Sequence, residues 1–335
     1  MHNELGTDAT TTQMVQETPT KSCDLCGGHE FERIAEQDRV GKPLSTVICM
    51  NCGLVAHEQI PSEDELAAFY GSRYRREYHG EGAPSSRRVM RAWKKAERIF
   101  GELSQWVEPG SQVFEVGAGL GCNVKVFDLG GFPASGIEPG NDFQAFSQQQ
   151  LQANVQNRSV FDLPEVPVHD LVLLIHVIEH FRSPRAALTQ IHKILKPGGK
   201  LYVECPSLCR VHADRSQLFH YAHIHNFTWP TLLMMARSCG FQVDRVLCTS
   251  RASVLRAMFV KCEPTACQVD PKSYQQTLKI LQEFRRPDYR WQTNYVQRRF
   301  EKISKYVYEY LLAPVKLKQI LQTCRTAPVT LSRAA

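Results

Sequence analysis

From about residue 87 onward, apolar residues in this 335-residue chain recur with two alternating periods. Arg87 to Trp106 repeats its apolar positions at helical spacing and reads as one long amphipathic helix. Val113, Phe114 and Val116 then form a short β-prone run, and Asn123-Val124-Lys125-Val126-Phe127 returns to the helical pattern. Phe132 to Ile137 reads as a second strand and Val155 to Pro164 as a short edge strand and turn. The continuous apolar run from Leu171 to Ile175 is of the kind buried on both faces of a parallel sheet. Ala187 to Leu195 is amphipathic; Lys196-Pro197-Gly198-Gly199-Lys200 stops it, and Leu201 to Pro206 is the next strand. Gly240 to Val243 and Ser253 to Val260 read as a closing hairpin. Strands alternating with helices predict an α/β domain around a mostly parallel sheet.

The flanks differ. Phe31 to Ala35 and Leu44 to Ile48 read as strands of a hairpin around Asp38 to Pro43. Pro61-Ser62-Glu63-Asp64-Glu65-Leu66 starts a helix, with Ser62 as cap and Glu65 at the third position. That helix leads to Tyr70, Tyr74 and Tyr78, four residues apart on one face. Tyr274 to Val315 has helical spacing, interrupted at Pro287 and ended by Pro314, with Ile303, Val307, Tyr310 and Leu311 as one stripe. The expected organisation is a disordered polar leader (1–21), a cysteine-bearing module (22–60), a helical linker (61–106), the α/β domain (107–264) and a basic helical extension (265–335).

Charge changes this picture little. The net charge is +6, but residues 265–335 hold thirteen Lys/Arg against five Asp/Glu, an excess of eight, which leaves −2 for the rest. A nearly neutral α/β domain does not demand a nucleic-acid substrate. No apolar run approaches the ~20 residues of a membrane-spanning helix. Twelve cysteines without a secretory signal point to reduced thiols and a cytoplasmic location.

The candidate chemistry begins at Glu115-Val116-Gly117-Ala118-Gly119-Leu120-Gly121, between a strand and a helix. Glycines let the backbone turn sharply and let a ligand lie almost against it. Dinucleotide sites use a different spacing, G-x-G-x-x-G, to cradle a pyrophosphate. An acid two positions before the first glycine suits a cationic ligand, and S-adenosylmethionine (SAM) carries an ammonium and a sulfonium but no phosphate. Here the chain resembles the class I SAM-dependent methyltransferases, whose first motif is E/D-x-G-x-G-x-G. The resemblance implies a Rossmann-like domain with a seven-stranded sheet and a SAM site at Glu115, Gly117, Ala118, Gly119 and Gly121. Glu138, before Pro139 and 17 positions after Gly121, ends the second strand, where an acid takes the ribose hydroxyls of a bound nucleotide. In the family, an acid at the place of Asp162 holds the adenine amine, with Phe161 or Leu163 against the ring. The run His176-Val177-Ile178-Glu179-His180-Phe181 resembles the family's x-V-L-E-H motif and lies beyond a strand's C-terminus, where ligands of such sheets bind. Tyr70 or Tyr74 would close over the cofactor.

Cys23-x2-Cys26-Gly27 and Cys49-x2-Cys52-Gly53 repeat one knuckle. Two knuckles supply four thiolates, the closed tetrahedral set of a structural zinc site. The ribbon resembles those preceding bacterial methyltransferases of polysaccharide and natural-product clusters. Its loop mixes Arg33, Arg39 and Lys42 with Glu30, Glu32, Glu36 and Asp38, so it is no basic platform for nucleic acid.

Phe219-His220-Tyr221-Ala222-His223-Ile224-His225 follows the strand ending at Pro206. Histidine titrates where a base for a hydroxyl acceptor is useful, so His223, His225 and His180 are the candidate catalytic residues. Sugar C-methyltransferases carry an H-E-H run in this loop; Ile224 replaces the acid here, which leaves oxygen methylation better supported. The expectation is an enzyme transferring a methyl group from SAM to a hydroxyl of a small molecule or glycan. An RNA methyltransferase, a sugar C-methyltransferase and a non-catalytic SAM-binding scaffold are the alternatives. A homodimer through the C-terminal helices is a further expectation.

Overall fold

The computed structural model describes residues 22–69, 84–209, 218–249, 252–283 and 295–326, with the backbone alone at 67 and 295–303. Tyr70, Tyr74, Tyr78, the leader over 1–21 and Pro287 lie outside the described residues.

Strands β1 (Phe31–Gln37), β2 (Pro43–Cys49) and β3 (Val55–His57) form an antiparallel ribbon. Helix α1 (Glu63–Ala68) follows, capped by Ser62 with Glu65 returning the bond, as the pattern predicts. Helix α2 (Ser86–Leu103) leads to β4 (Val113–Val116), α3 (Cys122–Leu129), β5 (Ala134–Ile137), α4 (Asn141–Gln149), β6 (Val155–Gln156), β7 (His169–Ile175), α5 (Pro184–Ile194) and β8 (Leu195–Pro206). Then come β9 (His225–Asn226), α6 (Trp229–Ser238), β10 (Phe241–Val246), β11 (Val254–Lys261), α7 (Ser273–Glu283) and α8 (Tyr295–Thr326).

Seven strands form one sheet in the order β10-β11-β8-β7-β4-β5-β6, parallel from β8 to β6 and closed by the antiparallel pair β11 and β10. This is the seven-stranded, mostly parallel Rossmann-like sheet that the patterning and the resemblance anticipate. Alternation along its strands makes two cores. Val113, Leu171, Leu173 and Tyr202 face Ile99 and Leu103 of α2 and Phe127 of α3. Phe114, Val172, Leu174, Leu201 and Val203 face Leu188 and Ile191 of α5 and Leu232 and Met235 of α6. A side-chain period of two on a sheet covered on both sides requires both sets to be apolar.

Two local expectations are corrected. Leu195-Lys196-Pro197-Gly198-Gly199 does not separate helix from strand; it is already part of β8, with a register irregularity against β7. Pro197 donates no ladder bond, so the pairing is interrupted there and resumes at Leu171–Lys200. Pro314 does not end the C-terminal helix but lies inside α8. Ala313, Ile320 and Cys324 are buried, and Ile320 and Cys324 pack with Val89, Trp93 and Ala96 of α2. Packing on both sides of the proline offsets the missing backbone bond. Val307, Tyr310 and Leu311 of the expected stripe are exposed in the single chain. No helix among the described residues is long and apolar enough to cross a membrane.

The ribbon is knitted into the α/β core. Strand β3 pairs with β9, which belongs to the loop following β8 and makes the ribbon four-stranded. Leu25, Cys49, Cys52 and Leu54 share a core cluster with Phe114, Ile178 and Phe227. Asp24 caps α5: its Oδ1 accepts from Ser183 Oγ at 2.6 Å and its Oδ2 from Arg185 N at 2.9 Å. Arg185 answers by donating Nε to the Asp24 carbonyl at 2.8 Å and a terminal nitrogen to the Leu25 carbonyl. Asp24→Ala removes a side-chain cap and should cost about 1–2 kcal/mol. Thermal unfolding of the full chain should show a lower midpoint; an unchanged one would mean the cap is idle.

Candidate active site

The glycine turn joins β4 to α3. Gly117, Gly119 and Gly121 all have positive φ, at 70°, 53° and 74°. At two of them the neighbours forbid a side chain as well: a Cβ at Gly117 would lie 2.5 Å from Val177 Cγ2, and one at Gly121 would lie 2.7 Å from Ser147 Cβ. A Cβ at Gly119 would meet nothing within 4 Å, so this glycine faces open space. The turn is pinned by Ala118 N donating to Ile137 O at 2.8 Å.

Glu138 is bound into the same turn. Its Oε2 accepts from Gly119 N at 2.9 Å, and its Oε1 accepts from Gly140 N at 2.9 Å. The carboxylate thus lies at the C-terminal edge of β5, beside the open glycine. Pro139 is exposed directly after it.

Glu115 is 2 % exposed and takes one bond, from Asn123 Nδ2 to Oε1 at 2.6 Å; Oε2 is buried without a partner. Burial pushes this carboxyl up to about 8, against the pull of the Asn123 bond and the Lys95 charge. The folded state therefore holds a proton that the unfolded chain releases above the ordinary 4.5. Stability of the ligand-free protein should fall as pH rises from about 4.5 toward 8, by on the order of 2 kcal/mol between pH 6 and 8. Glu115→Gln should flatten that part of the pH–stability curve in denaturant titrations; a curve of unchanged slope would refute the assignment.

Phe161 is 42 % exposed, with its ring edge-on to Phe181 at 6.3 Å. Asp162 Oδ2 accepts from Ser159 N at 3.0 Å within a short 3-10 turn, and Leu163 packs partly against the core.

His176 directly follows β7 with φ 56°, a left-handed backbone that a β-carbon resists. Its N–H donates to the Glu204 carbonyl, and its Nε2 lies 3.2 Å from Glu204 Oε1. Glu204, on β8 and 3 % exposed, also meets Lys95 Nζ at 2.7 Å, Arg98 at 2.8 Å and the Tyr202 hydroxyl at 2.9 Å. Burial opposes its charge, but His176 and the two α2 cations outweigh burial and hold it below the usual carboxylate range. Burial likewise opposes charging of His176, and the Glu179 and Glu204 carboxylates more than compensate, so its pKa is raised. Sequence reading missed this network. The one signal was an acid, Glu204, within the apolar run Leu201 to Cys205.

Beyond His176, Glu179 is 1 % exposed, and neither carboxylate oxygen has a hydrogen-bond partner. Its Oε1 lies 3.6 Å from His176 Nδ1, 3.8 Å from His180 Nε2 and 3.9 Å from His223 Nε2. His180 Nδ1 is 2.6 Å from the Ala222 carbonyl, which can only accept, so Nδ1 carries a proton and Nε2 is the nitrogen turned toward Glu179. His225 is apart from this group. It lies in β9, 1 % exposed, with Nδ1 3.2 Å from the Phe181 carbonyl. The structure thus brings His180 and His223 together and directs His225 into the ribbon junction.

In the ribbon, the Cys23 and Cys52 sulfurs are 3.5 Å apart and those of Cys26 and Cys49 3.6 Å. All four lie within 4.8 Å of one another. A tetrahedron with Zn–S bonds of about 2.3 Å requires S···S separations of about 3.8 Å, so the set fits a zinc ion. Contact with the other thiols and burial push the Cys52 thiol up, and bonds from its neighbours hold Cys26 down. Sulfurs this close can all be thiolates only around a cation.

Residues 87–246, just under half of the chain, match the family model described as a methyltransferase domain. This segment belongs to that family. With its sheet order and glycine turn, it is a class I SAM-dependent methyltransferase domain. Two curated relatives are named tRNA U34 carboxymethyltransferase. The one from Klebsiella pneumoniae is 28% identical over 204 residues, 55% of this chain and 60% of that protein. The one from Idiomarina loihiensis is 30% identical over 122 residues, 33% of this chain and 36% of that protein. The chain thus spans less than two thirds of either relative. Magnesium protoporphyrin IX methyltransferase from Synechocystis PCC 6803, solved with bound S-adenosylhomocysteine, is 16% identical, with a TM-score of 0.45 over 60% of this chain and 100% of that one.

Proposed function

We propose that the protein transfers a methyl group from SAM to an acceptor oxygen. The observation that carries this reading is the joint between Glu138 and Gly119: a carboxylate held by two backbone N–H groups beside a glycine that faces open space. Glu138 would accept from the ribose hydroxyls, and the turn from Gly117 through Ala118 to Gly121 would lie under the methionine part. Glu115 stands behind the turn, protonated in the ligand-free protein, and would give up that proton to complement an arriving ammonium. Phe161, Asp162 and Leu163 would receive the adenine, and His176 would border the methyl group.

In the reaction, the carbon–sulfur bond of the sulfonium breaks as the acceptor oxygen bonds to the methyl carbon. The acceptor proton is lost, and S-adenosylhomocysteine leaves. Much of the rate would come from holding the two reactants in line. Glu179 and His180 after β7, with His223 before β9, form one polar group, and disposing of the acceptor proton is the task they suit. His225, fixed at the ribbon junction, is left with a structural part. The four cysteines would hold structural zinc.

The acceptor divides two ways. The acid-bearing ribbon loop favours a hydroxyl of a small molecule or glycan. The names of the curated relatives, together with the excess of eight cations over 265–335, favour RNA. Incubation with methyl-labelled SAM and either bulk tRNA or a glycan and metabolite fraction separates the two. Label in the glycan or metabolite fraction supports the first reading. Label in tRNA that falls steeply with added salt supports the second. Failure to bind SAM in calorimetry would overturn both.

A further inference from the structure

We propose that Glu179, His180 and His223 form a second metal site, distinct from the cysteine cluster, which takes a divalent transition-metal ion of zinc type. The argument starts from Glu179. A carboxylate this deeply buried, with neither oxygen hydrogen-bonded and only the His176 ring at 3.6 Å to offset its charge, is a costly arrangement that folded proteins rarely leave so thinly compensated. What surrounds it is a set of imidazole nitrogens. One carboxylate oxygen of Glu179 and one ring nitrogen each of His180 and His223 all lie within 4.8 Å of one another. Ligand atoms about 2.0–2.1 Å from a tetrahedral zinc are about 3.3–3.4 Å apart. The 3.8 and 3.9 Å separations from Glu179 Oε1 to the two Nε2 atoms need to contract by only about half an ångström to meet that spacing.

The surrounding bonds are those a metal-binding histidine needs. His180 donates its Nδ1–H to the Ala222 carbonyl at 2.6 Å, so Nε2, the nitrogen turned toward Glu179, is the one that can bind a metal. The three ligands come from elements that the fold already holds still. Glu179 and His180 sit on the 3-10 turn Ile178–His180 after β7, and His223 precedes β9, which is paired to the ribbon. Two imidazoles and one carboxylate are borderline donors that suit zinc over magnesium or calcium, and three protein ligands leave a position for water or an oxygen of another molecule. Resting on the proposed function, that molecule would be the methyl acceptor, whose hydroxyl loses its proton more readily on a metal.

The test is a cobalt titration of the full-length, metal-stripped protein, without SAM or acceptor. The four-cysteine site should fill first and show thiolate-to-cobalt charge-transfer absorption. A second equivalent should then add visible ligand-field bands with no further charge transfer. Glu179→Gln and His223→Asn should each bind one equivalent fewer and keep the charge-transfer bands. Total binding that stops at one equivalent in the unaltered protein, or two equivalents retained by both variants, would overturn the proposal. If the variants do not fold, the unaltered protein still decides, because zinc-edge absorption spectroscopy distinguishes sulfur-only ligation from a mixture of sulfur and nitrogen or oxygen. Calorimetry with SAM is measured separately, so a missing second metal and a missing cofactor site give different results.

Discussion

Glu138→Ala is expected to weaken SAM binding about 100-fold, roughly 2.7 kcal/mol, while the protein stays folded. The carboxylate would make charge-assisted bonds to two ribose hydroxyls, each of which contributes about 1.5–3 kcal/mol. It also fixes the turn from the other side, since Gly119 N and Gly140 N both point at it. Its loss therefore removes a ligand contact and loosens the open glycine. Glu138→Gln keeps one carbonyl acceptor and should fall between the two, at about 10-fold. Calorimetry on both variants, with circular dichroism to confirm the fold, measures this. Equal SAM affinity in the alanine variant and the parent would place the ribose elsewhere.

Depriving the cysteine cluster of the zinc proposed for it is expected to destabilise the whole chain and not only the ribbon. Cys49→Ser leaves three crowded sulfurs and a strong chelator leaves four, in both cases without the cation that would tie the two knuckles together. The knuckles carry Leu25, Cys49, Cys52 and Leu54 into the core that also contains Phe114 and Ile178. Asp24 caps α5, and the Ser273 hydroxyl at the start of α7 donates to the Cys52 carbonyl at 2.8 Å. A loss of about 5 kcal/mol would lower the unfolding midpoint by on the order of 10–20 °C for a domain of this size. A single cooperative transition that shifts downward as a unit is the expected calorimetric trace. A separate early transition, with the main one unmoved, would show that the ribbon is independent after all.

The distribution of apolar residues by itself determined the α/β class, the sheet-forming runs and the helices between them. Local spacing did the same for two chemical motifs. The paired cysteine knuckles and the glycine turn are legible because each places its functional atoms within a few residues. Glu138 could be located because the strand it ends and the turn it serves are neighbours in the sheet. The resemblance to class I methyltransferases supplied the rest of the cleft, but it could not say which histidines meet.

That was decided by tertiary structure. His225 looked equivalent to His223 along the chain, yet β9 pairing with β3 turns it into the ribbon junction. Glu204 looked like one polar residue in a strand, and only the packing of α2 against the sheet gives it Lys95 and Arg98. Pro314 reads as a helix stop until α8 is seen held to α2 on both sides of it, by Arg91 on Glu309 before and by the packing of Ile320 and Cys324 after. Glu179 was placed near the chemistry by sequence, but its unbonded burial among three histidines depends on a loop more than forty residues away. The reason is common to all four. Propensity and periodicity act over a turn or a strand, whereas desolvation and charge pairing depend on what distant segments are folded against the group.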